Sequence, residues 1–356
     1  MGAAIRLGFV LSFLVVLSQA ALPHPAPNPP ASSPSKTQAT VLAFGSCASA
    51  VKFPVQPIWK LIAAAQPHAV VLLGDTPYID STDLEAQRAG YRAFFAREDV
   101  AALRAQAPFY CTWDDHDFGT NDCDGRIAGK ENSRRAFVEA HPERGYGVDG
   151  EGIFVRFRHG PVEVFLLDTR WFMRTEPSPC GEGLTVLGRK QWTWLCAGLR
   201  ASTAPFKILA SGMVWNDAVR PLKTDYWGAL PAERAALFAF LGNERIAGVV
   251  LVSGDIHRSR VIRHATREGV GYELTELITS PLAQSVIALA DAPHAGLVWD
   301  VGVEQTCLIL EVTEQVLTAR FLQAADASKP AEMFVTRLFV EHLAPSRAWR
   351  RASVGK

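Results

Sequence analysis

Several protein classes are excluded by what this 356-residue chain lacks. Its 36 Lys and Arg are balanced by 36 Asp and Glu, and no basic cluster stands out within the folded part. A phosphate-backbone binder needs a concentrated basic face, so no nucleic-acid-binding surface is expected. Charged residues are only 20% of the chain against 48% apolar, too apolar a balance for intrinsic disorder. The six cysteines (Cys47, Cys111, Cys123, Cys180, Cys196 and Cys307) include no Cys-x-x-Cys pair and are too scattered for a disulfide scaffold. Cys123 and Cys180, in Gly/Asp-rich and Pro-rich stretches, are the expected pair if a bridge forms. There is no G-x-x-x-x-G-K-[ST] phosphate loop and no G-x-S-x-G elbow, since Ser46 between Gly45 and Cys47 lacks the second glycine. Beyond residue 20 no apolar run approaches the roughly 20 residues that span a bilayer. No repeat at a solenoid period is present.

What is there begins with a leader. Met1–Arg6 carries one positive charge, Leu7–Leu17 is an apolar run, and Ser18-Gln19-Ala20 ends in small residues. This is the pattern of a secretory signal peptide over residues 1–20, without a twin-arginine motif, so an exported protein (periplasmic or extracellular) is expected. Residues 21–39 hold six prolines and read as a stiff linker. One folded domain is expected over residues 40–345, followed by a basic tail at 346–356.

Within that domain, six apolar runs end abruptly in polar, chemically capable residues. Val41–Phe44 leads into Gly45-Ser46-Cys47, Ala69–Leu73 into Gly74-Asp75-Thr76-Pro77-Tyr78, and Phe109–Trp113 into Asp114-Asp115-His116-Asp117. Val162–Leu167 leads into Asp168-Thr169-Arg170, Phe206–Ala210 into Ser211–Asn216, and Ile246–Val252 into Ser253-Gly254-Asp255-Ile256-His257. Short Val/Leu/Phe runs bounded by Gly or Asp read as buried strands. Helical stretches fall between them, at about 57–65, 83–95, 130–140, 187–201 and 231–241. This alternation predicts an α/β fold with a largely parallel interior sheet, whose ligands bind beyond the carboxyl ends of the strands. After residue 259 the short β-like runs 272–278, 306–312, 316–321 and 333–339 predict an antiparallel sheet completing a two-sheet sandwich.

The polar clusters point to metal. One strand-end Asp often only caps the next turn. Three carboxylates around His116, directly after a buried strand, repel one another unless a cation or several donors neutralise them. Asp255 and His257, two residues apart, can turn toward one pocket. Together the clusters supply Asp75, Asp115, Asp255 and His257, with Cys47 and Tyr78 nearby. Carboxylates suit hard cations, whereas imidazole, thiolate and phenolate suit iron or zinc, so the set suggests two unlike metal sites. The spacing also permits a Cys47 nucleophile paired with His116 or His257, which would leave the surplus of aspartates without a role.

These motifs, in this order and separation, resemble the alkaline phosphatase D-like (PhoD-like) branch of the calcineurin-like metallophosphoesterases over roughly residues 40–285. The resemblance implies a four-layer αββα sandwich with two metals at the strand ends. By position, Cys47, Asp75, Tyr78 and His257 would hold an Fe(3+) ion. Asp75 would bridge to a second site, of Ca(2+) type, completed by Asp115 and Asp255, with Zn(2+) or Mn(2+) as alternatives. His116 would face the leaving group, and Arg170 would clamp phosphate oxygens, with Asp168 either orienting it or supporting the metal ligands from behind; Asn121 and Asn216 stay unassigned. The chain departs from the wider superfamily in three ways: Cys47 replaces an opening Asp-x-His, Asp115 stands where Asn is usual, and residues before Thr40 read as leader and linker where larger members carry a β domain. The implied activity is hydrolysis of a small phosphomonoester or phosphodiester. A non-catalytic exported binding protein that keeps the metal cage for stability is the alternative from a different class.

Overall fold

Apart from Met1, the computed structural model describes residues 39–346, leaving out 143, 291–293 and 327–328. The leader, the linker up to residue 38 and the tail beyond Ser346 lie outside the described residues. Among the described residues, no helix is long and apolar enough to cross a membrane.

The apolar runs form the strands. In chain order the elements are β1 (Thr40–Gly45), α1 (Ile58–Ala64), β2 (Ala69–Leu73), α2 (Leu84–Phe95), α3 (Glu98–Gln106), β3 (Phe109–Thr112), α4 (Asp115–Phe118), α5 (Lys130–Ala140), β4 (Val155–His159), β5 (Val162–Leu166), α6 (Gly188–Ala201) and β6 (Phe206–Ala210). They continue with α7 (Pro231–Asn243), β7 (Val249–Ser253), β8 (Ser259–His264), α8 (Arg267–Val270), β9 (Leu274–Ile278), β10 (Leu297–Val301), β11 (Thr306–Val312), β12 (Val316–Asp326) and β13 (Lys329–Phe339). Local chemistry fixes several boundaries. The Asp83 carboxylate accepts from the Ala86 amide at 2.8 Å and caps α2, and Pro231 starts α7 where no amide is needed.

Two sheets result, ordered β13-β12-β11-β1-β2-β3 and β10-β8-β9-β7-β6-β5-β4. Strands β1 to β3 run parallel, as do β5, β6, β7 and β9. The late runs do not form a sheet of their own. Three of them extend the first sheet, β11 pairing antiparallel with β1 and β12 and β13 continuing as an antiparallel meander, and the fourth (β9) joins β7 in parallel. Alternation of side chains across a strand sets the layers. Leu42, Phe44, Val71 and Leu73 join Val164, Ile208, Val250 and Leu310 in the core that both sheets share. Ala43, Val70 and Leu72 face the opposite way, toward Trp59, Phe94, Leu103 and Phe137 of the helices. Leu195, Leu199, Leu237 and Leu241 of α6 and α7 cover the second sheet. The fold is thus a four-layer αββα sandwich.

Candidate metal centre

The ends of β1, β2, β3 and β7 bring their polar residues to one edge. Three of these ends, those of β1, β2 and β7, turn sharply: Cys47, Asp75, Asp255 and His257 all have φ between 52° and 66°, the left-handed region that side chains with a Cβ seldom enter. Such conformations cost on the order of 1–3 kcal/mol each. They persist because the flanking strands are fixed by fully buried side chains, each contributing about 1.5–3 kcal/mol. Gly74 (φ 98°) makes the closest approach. A Cβ there would sit 2.4 Å from the Asp114 amide nitrogen, so only glycine lets β2 and β3 end side by side.

Donor atoms of Cys47, Asp75 and His257 lie within 4.8 Å of one another, as do those of Asp75, Asp115 and His116, and those of Asp115, Asp122 and Asp225. These triads overlap, sharing first Asp75 and then Asp115. Asp75 is the junction expected of a bridging ligand. Tyr78 belongs to the first triad's surroundings, its hydroxyl 2.9 Å from His257 Nε2. On the other side of that imidazole, Nδ1 lies 2.7 Å from the Ser285 carbonyl, which can only accept. Nδ1 therefore carries the proton and Nε2 offers its lone pair to the site. His116 is held by Asp80, whose carboxylate lies 2.5 Å from its Nδ1.

The site holds its charge in two ways. Burial, then the neighbouring Asp75, pushes the Cys47 thiol well up, and the Cys47 Sγ lies 3.6 Å from Asp75 Oδ2. Burial, then Asp115 and Asp114, raises Asp75, and burial raises Tyr78. Burial pulls His257 down to about 4. Asp115 behaves oppositely: burial pushes it up, but Arg170, His116 and Lys223 outweigh that and hold it below the usual carboxylate range. Asp115 Oδ1 is buried with no hydrogen bond, its nearest guanidinium being Arg170 at 3.8 Å. A buried carboxylate oxygen without a donor, beside a thiol, an imidazole and a phenol, is the donor chemistry that fits a metal centre.

One expectation, the cysteine pairing, needs correction, and two site residues have partners that the sequence did not show. Arg170 has no side-chain exposure, and its guanidinium pairs with Asp114, with Asp225 at 2.8 Å and with the Cys123 carbonyl at 2.8 Å. Two buried carboxylates drew it inward. Cys123 and Cys180 are both free; the Cys123 Sγ instead takes the Thr120 amide at 3.3 Å and approaches the Asp115 carbonyl at 3.6 Å. The Asp255 carboxylate joins none of the three triads, and Lys223 Nζ holds it at 3.0 Å.

Residues left open are also placed. Asp168 is buried and accepts from the amides of Ile153, Arg170 and Trp171 and from Trp113 Nε1, so it shapes the turn that aims Arg170. Asn216 bonds Glu276 at 3.0 Å, and Asn121 is exposed. Sequence reasoning missed Asp80, Asp122, Lys223 and Asp225. Only Asp80 carried a signal, two residues after Tyr78 in the same turn.

A two-sheet α/β sandwich with carboxylates, imidazoles and a thiol gathered at its strand ends is the architecture of the metal-dependent phosphoesterases. Within that class the chain belongs to the PhoD-like phosphatase family, whose pattern matches residues 42–295. Over 209 residues it is 28% identical to alkaline phosphatase D of Bacillus subtilis (strain 168), a match covering 50% of this chain and 35% of that protein. The chain thus spans about a third of that relative. In fold it is similar to the structure of PhoD (TM-score 0.68, 18% identity, 86% of this chain and 70% of that one). It is also similar to a purple acid phosphatase from yellow lupin (Lupinus luteus) seeds (TM-score 0.63, 11% identity, 84% and 53%).

Proposed function

We propose that this chain is an exported, metal-dependent hydrolase of small phosphoric esters that works with two unlike ions. The observation that carries the reading is the overlap of the donor triads at Asp75, with a buried carboxylate oxygen of Asp115 left unbonded. Cys47, Asp75, Tyr78 and His257 would hold the inner ion, of Fe(3+) type. Asp75, Asp115 and Asp255 would hold the outer one, of Ca(2+) type, with Zn(2+) or Mn(2+) as substitutes. When bound, the ions supply Lewis acidity, shielding an anionic ester and activating water.

The chain's own residues do the rest. His116 is the general acid: with Nδ1 directed at Asp80, the imidazolium form would present its Nε2–H to a leaving alkoxide. Arg170, deep in the wall, holds Asp114 and Asp225 in place and supports Asp115. The working unit is residues 40–345, after removal of the leader at 1–20. The test is hydrolysis of p-nitrophenyl phosphate and bis(p-nitrophenyl) phosphate before chelation, after it and after return of metal. Turnover that disappears and returns with metal is the expected result. No hydrolysis of either ester with any of the four metals overturns the reading and favours a metal-stabilised binding protein.

A further inference from the structure

Lys223 lies in the loop between β6 and α7, beside Leu222, which is 94% exposed, yet its own side chain is only 4% exposed. Its Nζ is 2.9 Å from Asp225 Oδ1, 3.0 Å from Asp255 Oδ2 and 3.8 Å from Asp122 Oδ1. Three carboxylates from three segments converge on one ammonium, as they would on a metal ion. Asp122 is also paired with Arg220 at 2.5 Å, and Asp225 with Arg170. An ammonium differs from a divalent ion in carrying half the charge and being tethered to the chain.

We propose that Lys223 is a built-in counter-ion of the outer half of the metal centre: its ammonium fills the space among Asp122, Asp225 and Asp255, and a second divalent ion binds through Asp255 only by displacing it. This rests on the metal-dependent reading above. The inner donors, Cys47, Asp75, Tyr78 and His257, have no Lys or Arg ion pair among the described residues, so the tethered cation acts on the outer ion alone. The consequence is a difference in binding strength. The inner ion would be held by ligands engaged in no Lys or Arg ion pair among the described residues, while the outer ion should exchange more readily. Because Lys223 projects from a surface turn, it can withdraw without disturbing either sheet.

The test is titration of the full chain, carrying its tightly held ion, with Ca(2+) and separately with Mn(2+), following heat of binding and bound metal. Lys223→Met and Lys223→Gln should each tighten the second equivalent by about tenfold or more while leaving the first unchanged. If either variant does not fold unaided, the dependence of its melting temperature on Ca(2+) concentration reads the same affinity, since binding to the native state alone raises stability by mass action. Equal or weaker affinity for the second equivalent in both variants overturns the proposal. Failure of the wild-type chain to hydrolyse phosphoesters would instead sink the enzymatic reading, and would leave the ion titration to decide the role of Lys223.

Discussion

The two halves of the candidate metal centre differ in their donors, a thiol, a phenol and an imidazole around Asp75 against a group of aspartates, and they also manage their charge differently. The inner half keeps protons: burial raises the Cys47 thiol, the Tyr78 phenol and the Asp75 carboxyl, and no cationic side chain is paired with them among the described residues. The outer half keeps fixed cations: Arg170, Lys223 and Arg220 face Asp114, Asp115, Asp122, Asp225 and Asp255. There Asp115 and Asp225 are held below their ordinary range, although burial still lifts Asp255 to about 6 and raises Asp114 well up. The difference teaches how one strand-end edge would prepare the two unlike sites proposed above. On the proposed reading, an ion entering the inner half would displace protons, whereas an ion entering the outer half would displace or join cations.

The largest effect should come from the residue both halves share. Asp75→Asn is expected to lower kcat/KM about 10⁴-fold or more and to reduce metal content at both sites, with circular dichroism little changed. Near-normal turnover would break the comparison at its junction. Next in size is His116→Ala, expected to slow alkyl esters by about 10²–10⁴-fold and nitrophenyl esters far less, because a good leaving group needs little protonation. Equal losses for both would show that His116 serves another purpose.

Arg170→Gln separates a wall residue from a substrate clamp. Removing one partner of a fully buried pair costs about 3–5 kcal/mol, so denaturant unfolding should reveal a loss of that order. The second substitution Asp225→Asn should recover part of it, and KM should change little in whatever enzyme stays folded. A rise in KM at unaltered stability would restore the clamp. The smallest effect lies behind the site, where Glu276 accepts from the Trp215 amide, Asn216, Ser253 and His264. Burial pushes Glu276 up, but His264 and the other donors outweigh it and hold it below its ordinary 4.5. A depressed folded value gives stability that is present above about pH 4.5 and is lost as pH falls through the folded value. Glu276→Gln should therefore flatten the acid side of the stability curve and cost about 1–3 kcal/mol at neutral pH. An acid limb identical to the wild type would remove Glu276 from that account.

The inner half was far more legible in the sequence than the outer. Each inner ligand follows an apolar run that stops at a polar residue, and that pattern marks both a buried strand and its chemical end. Asp122, Lys223 and Asp225 sit in long loops with no periodicity, and they reach the site only through tertiary folding. The partners of Arg170 were hidden for the same reason: the sequence places it after a strand, but only the packed structure shows two carboxylates enclosing it. In the fold, α3 escaped notice because its core face is only Val100 and Leu103, too few positions to display a helical period. Strand β4 alternates Arg156 and Arg158 with apolar residues, as an edge strand does, and breaks the uniform apolar run that marked its neighbours.

The central claim is that the halves hold their ions by different means, and elemental analysis after exhaustive dialysis against a chelator at neutral pH tests it most directly. The full chain is expected to retain close to one equivalent of a transition metal and no calcium, and Cys47→Ser should lose the retained ion. Two equally retained equivalents, or complete loss of both ions from the wild-type chain, would contradict it.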